Sequence, residues 1–339
     1  MATVPKKEPN LNGASILVTG GTGSFGRRFI RTVLECFKPS RLIVFSRDEQ
    51  KQYEMAQDKH FQHPALRFFI GDVRDEGRLE MAMRGVSTVV HAAALKHVPT
   101  AEYNPFECIR TNVHGAENVV TAALRTGVRR IIALSTDKAA NPINLYGASK
   151  LAADKIFVAA NNLSAGSDTR FSVVRYGNVI GSRGSVIPLF ERMIAERADH
   201  LPVTDARMTR FWISLQQGVD FVLSSLVTMQ GGEIFVPKIG SMKIIDLAKT
   251  MAPKLPTRIV GIRPGEKLHE VLITCDESRN TLNLPDRYVV LPDFHFWSAD
   301  TQRASGASRV AEDFSYTSDG NDSWIDASSM KKLLLEPRA

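Results

Sequence analysis

The run Ile16-Leu17-Val18-Thr19-Gly20-Gly21-Thr22-Gly23-Ser24-Phe25-Gly26 leaves this chain few folds to choose from. An apolar strand enters spaced glycines, and Phe25, Phe29, Ile30 and Val33 continue at helical spacing. Gly20 and Gly21 allow the tight turn. Gly23 lets backbone N–H groups approach an anion at the helix N-terminus, and Gly26 lets helix and strand pack closely. In a strand–turn–helix setting this is a dinucleotide fingerprint, with Thr22, Ser24 and Phe25 in the same turn. No Gly-Lys-Ser/Thr follows, which excludes a Walker loop.

The second strand, Arg41–Phe45, ends in Ser46-Arg47-Asp48-Glu49-Gln50-Lys51. An acid here commonly holds the ribose 2′-hydroxyl, and an arginine accommodates a 2′-phosphate. Arg47, with Ser46 and Lys51, therefore predicts NADP; a shift of one residue would put Asp48 at the ribose instead. Leu66–Val73 reads as a third strand whose Asp72 and Val73 suit an adenine edge and face. Ser87–Ala94 reads as a fourth, where Ala92 and Ala93 leave room for a cofactor. Helical stretches near Glu102–Arg125 and Leu151–Asn161 alternate with the strands, which predicts an α/β fold with a Rossmann-like, doubly wound parallel sheet. Ligands in such sheets bind at the carboxyl ends of the strands.

The strand Arg130–Leu134 leads into Ser135–Lys150, which ends in Tyr146-Gly147-Ala148-Ser149-Lys150. The i, i+4 spacing puts Tyr146 and Lys150 on one helix face, and an ammonium one turn away favours a phenolate. Thr136 offers a hydroxyl, and Asp137 and Lys138 a second acid and base. A plain alcohol oxidation does not need that second pair. Taken alone, the segment also fits a solvent-facing helix whose start Asp137 caps.

The second half reads as a smaller, discontinuous substrate lobe. Expected boundaries are 1–12 for a disordered tail, 13–180 for the nucleotide-binding domain with 209–248 packing back on it, and 181–208 with 249–339 for the lobe. Arg175–Gly181 is a strand running into a turn, followed by the polar loop Ser182-Arg183-Gly184-Ser185. Arg207, Arg210 and Arg263 stand in glycine-containing or turn segments that suit a diphosphate; they equally suit structural pairing with Asp205, Glu233 or Glu266. The formal charge of +7 suits anionic ligands, while dispersed Lys and Arg argue against nucleic acid. Three cysteines lack metal or disulfide spacing, so no metal is expected and a cytoplasmic setting is. No apolar run reaches the ~18 residues of a membrane span.

Together these segments resemble the extended short-chain dehydrogenases/reductases and, within them, the nucleotide-sugar 4,6-dehydratases. The closest likeness is to the inverting, 5-epimerising UDP-N-acetylglucosamine 4,6-dehydratases of pseudaminic-acid-type pathways. It spans Ile16 to about Asp326 and rests on the glycine turn, Phe45–Glu49, Ala93–Pro99, Ser135–Lys150, Arg175–Val179, Arg207–Trp212 and Ile262–Lys267. Deoxythymidine-diphosphate-glucose dehydratases typically carry Thr-Asp-Glu where this chain has Thr136-Asp137-Lys138. Membrane-anchored retaining enzymes typically have Met in place of Tyr146. The resemblance implies that Tyr146, held ionisable by Lys150, takes the C4 hydroxyl proton, that a neutral Lys138 takes the C5 proton, and that a protonated Asp137 lets water leave from C6. For that, one pKa must rise and the other fall. It also implies that Asn178, Val179, Arg263 and Glu266 meet the UDP-sugar, that Lys96 lies near substrate or cofactor, and that the chain assembles as a homo-oligomer. His97 reads as a loop histidine, and Asn112 as a tether. A UDP-sugar epimerase or oxidoreductase, and a non-catalytic NADP-binding module, are the competing readings.

Overall fold

A computed structural model describes residues 10–164, 166–182, 184–294 and 307–336. Most of the expected tail, and Arg183 of the polar loop, lie outside these residues. The first half alternates β1 (Ser15–Thr19), α1 (Ser24–Cys36), β2 (Arg41–Ser46), α2 (Glu49–Gln57), β3 (Leu66–Ile70), α3 (Glu76–Met83) and β4 (Thr88–His91). The helices α4 (Val98–Tyr103), α5 (Pro105–Ile109) and α6 (Gly115–Thr126) precede β5 (Arg130–Thr136), α7 (Leu145–Ala159) and β6 (Arg170–Tyr176). The stretch expected to be helical at 102–125 is interrupted because Pro105 restarts it as α5 and a π turn spans Arg110–His114.

Strands β1 to β6 pair in parallel in the order β3-β2-β1-β4-β5-β6. That order reverses direction between β1 and β4, so a crevice opens at their carboxyl ends. Alternation along the strands supplies both faces. Leu17, Ile43, Val89 and Ile131 pack with Leu79, Val119 and Phe157 of α3, α6 and α7, whereas Ile16, Val18, Val44 and Ile132 pack with Phe29 and Val33 of α1 and with Val219 and Leu226. Buried on both faces, the strands read as near-continuous apolar runs.

Beyond β6 the chain forms β7 (Asn178–Val179), α8 (Val186–Ala195), β8 (Leu201–Val203), β9 (Thr209–Ile213), α9 (Leu215–Thr228), β10 (Ile234–Pro237), β11 (Gly240–Lys243), α10 (Ile244–Met251) and β12 (Thr257–Ile259). Helix α9 returns to pack on α1, and β10 joins β6 in parallel. Strands β11, β9 and β7 make a small sheet whose neighbours Phe190, Trp212, Met242, Leu247 and Met330 form a separate apolar cluster. The remaining elements are β13 (Val271–Ile273), β14 (Thr281–Asn283), β15 (Arg287–Val290), β16 (Ser308–Arg309), β17 (Tyr316–Thr317) and α11 (Ala327–Leu334). The expectation that 249–339 belongs wholly to the smaller lobe needs correction. Strand β15 pairs antiparallel with β10, β14 antiparallel with β15 and β16 antiparallel with β14, so the three extend the large sheet past β10.

Candidate active site

The glycine turn is shaped by two close approaches. Gly20 adopts φ +66, and a Cβ there would come within 2.8 Å of the Ala93 backbone nitrogen; one on Gly26 would meet the Gly21 carbonyl oxygen at 2.6 Å. Gly23 caps α1 without a side-chain hydrogen bond, and the helix's first turn carries no acid, so no side chain of the helix start offsets its positive end. Ala92 and Ala93 donate backbone N–H to Thr19 Oγ1 at 3.1 and 3.2 Å. His91 Nδ1 lies 2.8 Å from the same hydroxyl, and burial, then the Lys150 charge, push this imidazole down to about 3.

At the end of β2, Ser46 Oγ is 2.9 Å from Thr22 Oγ1. Arg47 is 53% exposed, with its guanidinium 3.6 Å from Asp72. Asp48 serves as the N-cap of α2: it accepts from the Lys51 backbone at 3.0 Å and ion-pairs with the Lys51 ammonium. The alternative acid is thereby committed to the helix start, as is Lys51. Asp72 is also held by Arg74 at 2.6 Å, beside buried Val73, whose carbonyl accepts from Asn118. Burial opposes the Asp72 charge, but Arg74 outweighs it and the carboxyl ends below its usual range.

The acid–base groups meet where β5 runs into α7. Asn144 caps α7 by accepting from the Gly147 N–H at 2.8 Å, and a Cβ at Gly147 would strike the Lys138 carbonyl, so only glycine lets the helix start this close. Thr136 Oγ1 donates to Asp137 Oδ1 at 2.8 Å, and Lys138 Nζ donates to the same oxygen at 3.0 Å. Asp137 is buried, and its Oδ2 has no partner among the described residues. Burial, then the Glu270 carboxylate, push Asp137 up against the Lys138 charge. Glu270, which sequence reasoning missed, sits 3.2 Å from Lys138 Nζ and 3.5 Å from Arg210 Nε. Nothing in its local pattern marks it, since its partners are supplied by distant segments.

Two electrostatic expectations need correction. Partial burial pulls the Lys138 ammonium down, but Asp137 and Glu270 outweigh it, and the net direction is up. Lys150 does not command the phenol either. It donates to the Leu134 carbonyl at 2.7 Å, and burial lowers it against the Asp154 charge. Burial pushes Tyr146 up to about 12, and the groups resisting that rise are Lys138 and Thr136.

Below these groups, fully buried Arg175 joins β6 to Asp154 at 3.4 Å and to Glu277 at 2.9 Å, and Ser135 donates to Asp154 at 2.8 Å. Asn112 clasps Leu95 through both backbone groups and donates to Ser149 at 2.9 Å, acting as a tether. The 263–267 loop is pinned over the same region: Asn144 donates to the Gly265 carbonyl at 2.8 Å, and Lys267 Nζ to the Ala140 carbonyl at 2.5 Å.

Other expected residues divide. Asn178 Oδ1 and Glu266 Oε2 are buried without partners among the described residues, and Val179 adjoins Asn178 in β7. Arg207 is exposed and bidentate to Asp205, and Arg263 lies 4.0 Å from Glu266, so both keep a structural partner. Glu233 pairs with none of the arginines; it accepts from Ser172 and from the Gln230 and Gly231 backbone. Lys96 is exposed just beyond β4, and the His97 ring lies against Gly184. No group of three His, Cys, Asp or Glu among the described residues is arranged for a metal.

A doubly wound sheet with a glycine turn and a buried Thr–Asp–Lys–Tyr set at its carboxyl edge defines an extended short-chain dehydrogenase/reductase. Residues 16–292 match the model of a family described as polysaccharide biosynthesis protein. A Campylobacter jejuni subsp. jejuni serotype O:2 protein named UDP-N-acetylglucosamine 4,6-dehydratase (inverting) is 56% identical over 95% of this chain and 98% of its own. The X-ray structure of Pen from Bacillus thuringiensis superposes with a TM-score of 0.87 at 35% identity, covering 97% of this chain and all of that one. The NAD-bound DesIV dTDP-glucose 4,6-dehydratase from Streptomyces venezuelae gives 0.65 at 26% identity, over 75% and 86% of the two chains. This chain belongs to the polysaccharide biosynthesis protein family.

Proposed function

We propose that the chain removes water from UDP-N-acetylglucosamine at C4/C6 with inversion at C5, giving UDP-2-acetamido-2,6-dideoxy-β-L-arabino-hex-4-ulose, with NADP as a recycled cofactor. The observation that carries this is the pair of buried Asp137 and half-buried Lys138 beside Tyr146, with Asp137 Oδ2 unpartnered among the described residues and its carboxyl pushed up toward the protonated form. The glycine turn fits a dinucleotide, because Gly20 and Gly26 let it close on the Ala93 and Gly21 backbones while no side chain caps the leading N–H groups of α1. Gly20, Thr22, Gly23, Ser24, Phe25 and Gly26 would hold the pyrophosphate, Arg47 and Ser46 the 2′-phosphate, Asp72 and Val73 the adenine, and Ala92, Ala93, Lys96, Tyr146 and Lys150 the nicotinamide half. NADP is favoured over NAD because Asp48 is spent as a helix cap while Arg47 stays exposed. Held there, the cofactor would supply the reversible hydride chemistry for oxidation at C4 and reduction at C6.

Tyr146 takes the C4 hydroxyl proton as the phenolate, having first lost its own proton, a state that Thr136 and the nearby Lys138 ammonium favour. The resulting ketone acidifies C5–H, and Lys138 removes that proton while Asp137 protonates the departing C6 hydroxyl. Asn178 and Glu266 present unpaired buried oxygens to the substrate, with Val179, Arg207 and Arg263 beside the UDP moiety. The three cysteines form no disulfide, which supports a cytoplasmic setting, and sedimentation of the purified chain checks the expected homo-oligomer.

Incubation with UDP-N-acetylglucosamine followed by mass spectrometry tests the reading. A product lighter by one water, with deuterium at C5 when made in deuterium oxide and couplings of the arabino ring, is expected. An isobaric product would make the chain an epimerase, and the α-D-xylo sugar as first product would make it a retaining enzyme.

A further inference from the structure

Resting on the dehydratase reading, the proposal concerns the group that readies Lys138. An amine can act as a base at C5 only without its third proton, and the structure surrounds this ammonium with oxygens that hold it protonated. Glu270 precedes β13, is 1% exposed, and lies in a region contributed by segments far along the chain from Lys138. Its backbone N–H donates to Ser318 Oγ at 2.9 Å, so the segment is fixed. Its Oε1 faces Lys138 Nζ at 3.2 Å and Arg210 Nε at 3.5 Å, and its Oε2 is buried with no partner among the described residues. Arg210 is bound to the Thr209, Leu268 and Lys267 carbonyls, so it anchors the carboxylate from behind. Burial pushes the Glu270 carboxyl up, but Lys138, then Arg210 and Lys267, outweigh it and hold it below its usual range before substrate arrives, with the Asp137 carboxyl across from it. His269, the adjacent residue, is turned toward Thr209 and Asp319.

We propose that Glu270 is a positioning residue that accepts the Lys138 proton when the sugar is bound, freeing the amine to act at C5. One Nζ–H bond breaks and one Oε–H bond forms. The electron pair stays on Nζ, an ion pair becomes two neutral groups, and the net charge of the site is unchanged. Lys138 then takes the C5 proton, Asp137 gives its proton to the leaving hydroxyl, and the proton on Glu270 remains inside the site. Because the transfer is internal, removal of the C5 proton does not wait on exchange with solvent. A carboxylate lacking one partner suits this role better than a saturated ion pair would, since Oε2 has a lone pair ready for the arriving proton.

The test uses the full-length protein with NADP and UDP-N-acetylglucosamine, in wild-type, Glu270→Gln and Glu270→Asp forms. Three readouts are followed from pH 6 to 9: the nicotinamide absorbance transient of C4 oxidation, deuterium entry at C5, and loss of water. Expected for wild type is a flat pH profile of C5 exchange. Glu270→Gln should keep the absorbance transient, lose at least about tenfold in C5 exchange near neutrality, and recover by about tenfold per pH unit as solvent base strips Lys138. Glu270→Asp should restore part of the flat profile. Wild-type exchange rates and a flat profile in Glu270→Gln would overturn the proposal, as would loss of the transient in both variants, which marks a structural role. A wild-type enzyme giving neither transient nor water loss would refute the dehydratase reading itself, separately from the role of Glu270.

Discussion

His91 makes acid stability measurable at one residue. Its ring is buried at the carboxyl end of β4, bonded to Thr19 at 2.8 Å and 5.5 Å from the Phe157 ring. Burial, then the Lys150 charge, take its pKa from 6.5 to about 3. Between those values the unfolded chain binds a proton at this site and the folded chain does not, so stability falls as pH falls, by about 1.4 kcal/mol per unit. From pH 7 to pH 5 the unfolded state gains most of a proton and the folded state almost none, a loss of about 2 kcal/mol from this residue alone. His91→Asn keeps a polar partner for Thr19 but cannot titrate. Urea unfolding of both proteins at pH 7 and pH 5 isolates the residue, because all other titrations cancel in the comparison. Wild type should lose about 2 kcal/mol more than the variant over this interval. Equal losses would show that the imidazole is protonated in the folded protein and would refute the argument.

Arg47→Ala should weaken NADP binding roughly tenfold to thirtyfold and NAD binding by less than about twofold, since a half-exposed charge-assisted contact is lost while Arg74 still holds Asp72; calorimetric titration with both cofactors checks it, and equal losses count against the 2′-phosphate role. Tyr146→Phe preserves the ring but removes the proton acceptor, so stopped-flow absorbance should show C4 oxidation slowed by at least about a hundredfold with substrate still bound. Turnover near the wild-type rate would displace Tyr146 from its role. Arg175→Met removes the cation between Asp154 and Glu277 inside the core, and urea midpoints should report roughly 3–5 kcal/mol of destabilisation. A loss under about 1 kcal/mol would mean that water reaches the two carboxylates.

The nucleotide-binding half was legible because its signals are local. Strand periodicity, the glycine turn and the Tyr-x-x-x-Lys spacing each lie within one stretch of about twenty residues, where backbone geometry alone dictates what meets what. The lobe boundary was harder. Strands β14, β15 and β16 are two to four residues long, carry little periodicity, and find their place only by pairing with β10 and with one another. The protonation of Lys138 was misjudged for the same reason. Burial alone favours a neutral amine, but Asp137 beside it holds the charge, and so does Glu270, which arrives from a segment no local pattern connects to it. Likewise, the helix face shared by Tyr146 and Lys150 was evident, but not that the Leu134 carbonyl claims the ammonium.

The triangle of Asp137, Lys138 and Glu270 has a consequence for how such chains diverge. Two buried acids surround one ammonium, with Arg210 and Lys267 nearby; replace Lys138 by Glu and three carboxylates share the space with only those two cations. The Thr-Asp-Lys segment is therefore not a portable cassette. Exchanging it for Thr-Asp-Glu in this chain sets a third carboxylate against Glu270, so the 136–138 segment and position 270, far apart in sequence, are coupled through one pocket.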